Sequence, residues 1–312
     1  MEHPLSSTLD YARLDRQAAA LGCKIARGEP LAPRTTFKIG GPADRLVTVE
    51  SEEQLSGVLA ALGELGLPVL LLGRGSDLLV RDKGFRGVVI SLGGAFQSVG
   101  LLEDGATLRA GAGASLASLC AFARDRGLSG LEFAWGIPGS VGGAVYMNAG
   151  AYGGEMKDVV VKARHMDPDG RPGEYGGEAL GFGYRRSAYS GGAKAVTFAE
   201  FRLRPGSREE IAAKMEDLMA RRKAKQPYDS PSAGSTFKRP KTGYAAALIE
   251  QCGLKGRSVG GAQVSPKHAG FIVNTGGATC QDVLALMDIV RETVLRQTGV
   301  ELEPEVQVVG EA

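Results

Sequence analysis

Apolar positions along the chain recur with two periods, about 3.6 and about 2 residues, and the exchange between them predicts a mixed α and β protein. Residues 8–20 read as an N-terminal helix and, beyond a glycine-ended loop at 35–42, residues 45–50 read as a strand. Ser51, with Gln54 three positions on, marks a helix start whose apolar-periodic run stops near Leu65 and Gly66. Short apolar runs at 68–72, 78–80 and 87–92, with a tight turn at 73–77, then predict a compact β-α-β-β beginning. Residues 107–110 form a further strand. Ser115 caps a helix in which Leu116, Leu119, Cys120 and Ala123 share one face until Gly127.

Residues 159–166 and 171–175 flank Asp167-Pro168-Asp169-Gly170, whose Pro and Gly placement makes the segment a β-hairpin. A strand at 194–203 closes this region, and Pro205-Gly206 is the boundary candidate, dividing the chain into 1–205 and 206–312. Past it, Ser207 and Glu210 form a second capping box. Ile211, Met215, Leu218 and Met219 make the buried stripe of a helix that Pro227 ends. The smaller second part is expected to hold a helix at 244–252, a strand at 270–274, a helix at 280–297 with Val283, Met287, Val290 and Val294 inward, and a last strand from Glu301. No internal repeat is visible.

Glycine changes this picture: it accounts for 46 of 312 residues, about twice the usual ~7%, in short clusters between apolar segments. Many backbone positions must therefore adopt positive φ or lie close to something else. The balance of 43% hydrophobic and 23% charged residues is that of a folded globular chain. A net charge of +2, with no basic run interleaved with aromatics, argues against nucleic acid as a partner. No apolar run approaches the ~18 residues of a membrane span, and Glu2, Asp10 and Asp15 do not suit a secretory signal, so a cytoplasmic protein is expected. Cys23, Cys120, Cys252 and Cys280 are widely spaced and read as reduced thiols. With only His3, His165 and His268 beside them, neither a metal site nor a Ser-His-Asp hydrolase is expected.

Three segments could carry chemistry. Gly73-Arg74-Gly75-Ser76-Asp77 follows an apolar strand and could bring backbone N–H groups to a pyrophosphate. It is not a Rossmann loop, because Leu78 stands where the third glycine belongs and the next segment is β-like; taken alone, the loop reads first as an ordinary tight turn. The stretch from Gly136, Ile137, Pro138, Gly139 and Ser140 to Gly142 and Gly143 needs close backbone approach to either an anionic cofactor or a crowded domain junction. Ser235, Lys238 and Arg239 in Ser232-Ala233-Gly234-Ser235-Thr236-Phe237-Lys238-Arg239-Pro240, with Tyr184-Arg185-Arg186 upstream, suit a phosphate-bearing ligand or simply a solvated loop.

In their order these segments, together with Thr36-Phe37-Lys38-Ile39-Gly40-Gly41-Pro42-Ala43, Lys267 to Asn274 and Leu302-Glu303-Pro304-Glu305-Val306, resemble the UDP-N-acetylenolpyruvoylglucosamine reductase family in its shorter form. The resemblance implies an α+β protein with a vanillyl-alcohol-oxidase-type FAD-binding fold of two subdomains and a C-terminal α+β substrate domain. It implies non-covalent FAD, held by Gly40, Gly41, residues 73–77, Gly136 to Ser140, Gly142, Gly143, Asn148 and Gly150. It further implies NADPH as reductant and an enolpyruvyl sugar nucleotide as substrate, bound by Tyr184, Lys225, Lys238 and Arg239. Arg185 and Glu305 would hold and polarise the substrate carboxyl group, while Ser235 would deliver the proton; because a carboxylate would repel the developing charge, Glu305 is expected to be protonated or to share a proton with the substrate carboxylate during the reaction. Another flavin oxidase of the same fold would lack the Ser235 and Glu305 motifs, and a non-catalytic sugar-nucleotide binder would be separated by an activity assay. Asp77, Tyr189 and Arg239 depart from the family pattern, which usually shows Asn, Phe and, in the longer form, Asn at these places.

Overall fold

The structure, a computed structural model, describes residues 10–192 and 194–312. Seven helices are labelled α1 (Tyr11–Ala20), α2 (Glu52–Leu65), α3 (Leu116–Asp125), α4 (Val141–Met147), α5 (Arg208–Lys225), α6 (Ala245–Gln251) and α7 (Cys280–Thr298). The Asp10 carboxylate caps α1, so the first two residues of the expected helix, 8 and 9, lie outside the described residues. Three sheets organise these helices. In the first, Lys24–Pro30, Pro42–Val49, Phe85–Leu92 and Val69–Leu72 lie side by side in that order. The outer Lys24–Pro30 pairs antiparallel, and the other neighbours pair parallel. Leu14 and Ala18 of α1 and Leu55, Val58, Leu59 and Leu62 of α2 bury its face over Val47, Val49, Val88 and Ile90.

The second sheet is antiparallel, in the order Pro172–Gly176, Val160–Met166, Ala195–Arg202, Thr107–Gly111, Val99–Leu101. Leu116 and Leu119 of α3 and Val141 and Val145 of α4 share its core with Leu108, Ala199 and Phe201. Residues after α5 build the third sheet, Ser232–Ser235, Phe271–Asn274, Ala262–Val264 and Ser258–Val259, on which Val283, Leu286 and Val290 of α7 are packed. The same core takes in Phe37, Ile39 and Leu79 from the first region.

Helix signals held where the caps are side chains. Ser51, Ser115 and Ser207 each accept a hydrogen bond from the backbone N–H three residues on, and Gly66 closes α2 in the left-handed region at φ +61°; the return bond of a capping box is not made at Ser51, where Gln54 Oε1 accepts from Glu50 N instead, nor at Ser207. Several expectations are corrected. Residues 78–80 do not belong to the first sheet: Leu78–Val80 pairs in parallel with Gln307–Val309, 229 residues away (307 − 78). The last strand is confined to Gln307–Val309, and Glu301 to Val306 contributes one isolated bridge, Phe237 to Pro304. The glycine-dense stretch hides α4, whose N-cap is Ser140. Strand Lys24–Pro30 escapes the pattern because it is a charged, half-exposed edge. Cys120 and Cys280 are buried, Cys23 and Cys252 half-buried, and all four are free thiols. Among the described residues, no helix is long and apolar enough to cross a membrane.

Candidate active site

The two glycine segments, from different sheets, meet. Gly73 follows Val69–Leu72 and has no room for a side chain: a Cβ there would lie 2.3 Å from Ser140 Oγ. Ser140 is held in turn, its Oγ accepting from the Gly143 N–H at 3.3 Å. Gly75, at φ +59°, turns the first loop back against Arg34 and Thr35, and the Thr36 N–H donates to its carbonyl at 3.2 Å. Across the junction, a Cβ at Gly139 would meet Leu116 at 3.4 Å, Ile137 at 3.8 Å and Ser76 Oγ at 3.9 Å, all within ordinary contact. Gly73, Arg74, Pro138 and Gly143 are exposed and Ile137 is half-buried. The result is a backbone-lined cradle between two sheets, in which the 73–77 loop supplies most of the uncommitted N–H groups, since Ile137 N and Gly139 N already donate to Ala134 O and Ile137 O.

The crowded-junction reading of the glycine cluster is realised at several positions. Gly142 faces Ala112, where a Cβ would come within 2.8 Å of Ala112 Cβ. Gly136, at φ +84°, faces Met219 and Arg222, and Gly150 faces Gly154 and Glu155. Gly40 abuts Val80 and Gly41 abuts the Asp82 backbone. These five, like Gly73 against Ser140, serve close packing of protein on protein, whereas Gly139 has no such close neighbour and lines the cradle. Gly139→Val is accordingly expected to leave far-UV circular dichroism unchanged while weakening flavin binding by about tenfold or more, the scale of a ~1–3 kcal/mol overpacking cost. A flavin-to-protein ratio equal to that of the unaltered chain would count against this assignment.

At the other end of the cradle three chain segments converge. Ser235 ends the strand Ser232–Ser235, and the segment after it runs antiparallel to Glu303–Glu305. Lys238 N donates to Glu303 O and Glu305 N to Thr236 O, both at 2.8 Å. Arg185 arrives on a two-residue turn closed by reciprocal hydrogen bonds between Gly183 and Arg186. Its φ of +54° is costly for a residue with a Cβ, a pattern concentrated at functional sites. Asn148, fully buried at φ +45°, braces this turn: its Nδ2 donates to Gly183 O at 2.9 Å and Glu155 Oε2 at 2.8 Å, and its Oδ1 accepts from Lys157 N. The Asn148 side chain is thus committed to protein partners.

Arg185 Nε donates to Glu305 Oε1 at 2.5 Å, and both side chains are largely buried. Burial pushes the Glu305 carboxyl above its ordinary range, opposed by the charges of Arg185 and Lys238. Asp77 leads into Leu78–Val80 beside this pair; burial, then the Glu305 charge, push it up to about 8, against Arg185 and Lys238. Lys238 Nζ pairs with Glu303. Toward the outside, the Arg239 N–H donates to the Tyr184 hydroxyl at 3.0 Å, and the Arg239 guanidinium lies 4.3 Å from the centre of the exposed Tyr244 ring. Lys225 is exposed at the C-terminal end of α5 and makes none of these contacts. The hydroxyl of Tyr189 is accommodated in the core, donating to Ala163 O at 3.2 Å and lying 3.2 Å from His165 Nδ1.

Sequence reasoning passed over Arg222. It is buried on α5 behind Gly136, and its Nε and Nη2 have no hydrogen-bond partner in the protein. The signal was present: Arg222 continues the Ile211, Met215, Leu218 stripe at helical spacing, so a cation was bound to face inward. Tyr244 was likewise passed over.

Fold and site together define a flavin-dependent oxidoreductase. Residues 43–174 match the FAD binding domain model, and residues 226–309 match the C-terminal domain model of UDP-N-acetylenolpyruvoylglucosamine reductase. The chain belongs to the UDP-N-acetylenolpyruvoylglucosamine reductase family. It is 49% identical over 292 residues to UDP-N-acetylenolpyruvoylglucosamine reductase 2 of Symbiobacterium thermophilum, covering 92% of each chain. The crystal structure of the Thermus caldophilus reductase superposes with a TM-score of 0.78 at 40% identity, over 92% of this chain and 98% of that one. A berberine bridge enzyme variant shares the fold alone, with a TM-score of 0.51 at 17% identity over 62% of this chain and 44% of its own.

Proposed function

We propose that this chain reduces the enolpyruvyl group of UDP-N-acetylglucosamine enolpyruvate to UDP-N-acetylmuramate, with NADPH as reductant and non-covalent FAD, in the cytoplasmic synthesis of peptidoglycan precursors. The observation that carries the reading is the convergence of Arg185, Glu305 and the Ser235 segment at one end of the glycine cradle. We divide the chain into an FAD-binding part, 1–205, and a substrate-binding part, 206–312.

The cradle fits FAD by the character of its donors. Residues 73–77, with Gly136 and Ser140, offer backbone N–H groups, those of Ile137 and Gly139 being spent on Ala134 O and Ile137 O, and Arg222 offers a buried charge with two uncommitted nitrogens. FAD, when bound, supplies hydride transfer from NADPH to the alkene carbon. Non-covalent attachment is supported by the placement of two histidines: His165 is buried against Tyr189, and His268 Nδ1 accepts from Gly270 N. His3 lies outside the described residues.

The protein's own part is to hold the substrate and manage charge and one proton. Tyr184, Arg239, Lys238 and Lys225 take the diphosphate end. Arg185 polarises the substrate carboxyl group, where negative charge develops as hydride arrives at the terminal carbon. Glu305 can do the same only as a neutral acid, since its charge would oppose that development; its upward-shifted carboxyl supports this. The Ser235 hydroxyl gives its proton to the carbon bearing the carboxyl group and recovers one from solvent. A purified sample is expected to be yellow, to bleach with NADPH and to regain its colour when the enolpyruvyl substrate is added. A colourless protein, or one that NADPH leaves unchanged, would overturn the reading.

A further inference from the structure

One carboxylate in this site has no evident counter-charge. Asp77 joins the glycine loop to Leu78–Val80, and its carbonyl accepts from Gln307 N at 3.0 Å, locking its backbone into the parallel ladder two residues from Glu305. Its Oδ2 is closed off from solvent and has no hydrogen-bond partner. The charged groups facing it are Glu305, Arg185 and Lys238. Both cations are already engaged, Arg185 by Glu305 and Lys238 by Glu303. Before substrate arrives, while Glu305 is still ionised against Arg185, an ionised Asp77 would be a third carboxylate in a site whose two cations are taken, with a buried oxygen left unsatisfied.

We propose that Asp77 stands in the site as an uncharged carboxylic acid at neutral pH and presents its O–H as a hydrogen-bond donor to the FAD that occupies the cradle. A carboxylate can only accept, whereas the neutral acid donates once, so protonation converts a repulsive residue beside an acceptor-rich, anionic cofactor into a binding one. The upward shift to about 8, caused first by burial and then by Glu305, is in keeping with this. Flavin affinity is thereby linked to a proton. It is independent of pH while Asp77 is protonated and falls as pH rises past the point at which the flavin-free site releases that proton.

The proposal rests on the FAD reading, and the test separates the two. FAD is titrated by fluorescence quenching into the apoprotein and into Asp77→Asn, whose amide keeps a donor at every pH, from about pH 6 to about pH 9.5. The affinity of the unaltered protein should fall relative to the variant by roughly tenfold per pH unit above about pH 8. Without FAD, the unfolded chain releases the Asp77 proton near pH 4 and the folded chain only near pH 8. The unaltered apoprotein should therefore lose thermal stability relative to Asp77→Asn between those values. It should also show at neutral pH a protonated-carboxyl infrared band that the variant lacks. Parallel affinity curves, or a carboxyl band unchanged by the substitution, overturn the proposal. Failure of both proteins to bind FAD at any pH overturns the FAD reading instead, and the infrared and unfolding comparisons of the apoproteins then still decide the state of Asp77.

Discussion

Ser235→Ala is expected to slow the return of flavin colour by about 10²–10⁴-fold, the usual contribution of a positioned general acid, while bleaching by NADPH should stay near its normal rate. The asymmetry follows from placement. Ser235 ends a strand whose partners are Phe271 and Val273, and the residue after it receives the Glu305 N–H through its carbonyl, so the substitution removes an oxygen without disturbing either backbone. What is lost is one proton donor, needed only when the enolpyruvyl carbon must be protonated. Because a serine alcohol is a weak acid, a cation of the site would have to stabilise the alkoxide left behind, Lys238 and Arg185 being the candidates. Rapid mixing follows bleaching and recovery as separate absorbance phases. Slower bleaching, or recovery at the normal rate, would remove Ser235 from the role of acid.

Arg185→Lys is expected to raise the barrier for the substrate-reducing step by about 2–4 kcal/mol, or roughly 30- to 1,000-fold in kcat/KM. Charge is retained, so the loss comes from geometry. Arg185 already uses Nε to hold Glu305 at 2.5 Å, and its planar fork still has Nη groups for the substrate carboxyl group. An ammonium must choose between the two. Lysine meets the same backbone cost at φ +54°, so folding should be little affected. Flavin content and NADPH bleaching serve as controls. Near-normal turnover would show that Arg185 only shapes the turn anchored by Asn148.

Much of the fold was legible in the chain because helices announce themselves locally. Ser51, Ser115 and Ser207 lie next to the amides they cap, and the stripes of α5 and α7 are periodic within a few residues. The motif segments that the fold brings together were legible too, since a glycine needed for close approach is visible whatever it approaches. Short strands were not: Ser258–Val259, Ala262–Val264 and Ser232–Ser235 are stabilised by partners distant in sequence and carry little local signal.

By itself, then, the sequence determined the helices, the mixed architecture and the segments that hold chemistry, all of which depend on side chains within a turn or two of one another. Only the tertiary structure decided which glycines face protein and which face the cradle, because Gly142 and Gly139 differ in what lies opposite them rather than in their neighbours in the chain. It also decided where residues 78–80 pair. That long-range choice sets Asp77 beside Glu305 and Arg185, and a carboxyl group's charge depends on burial and on nearby charges in space, neither of which is written in its own stretch of sequence.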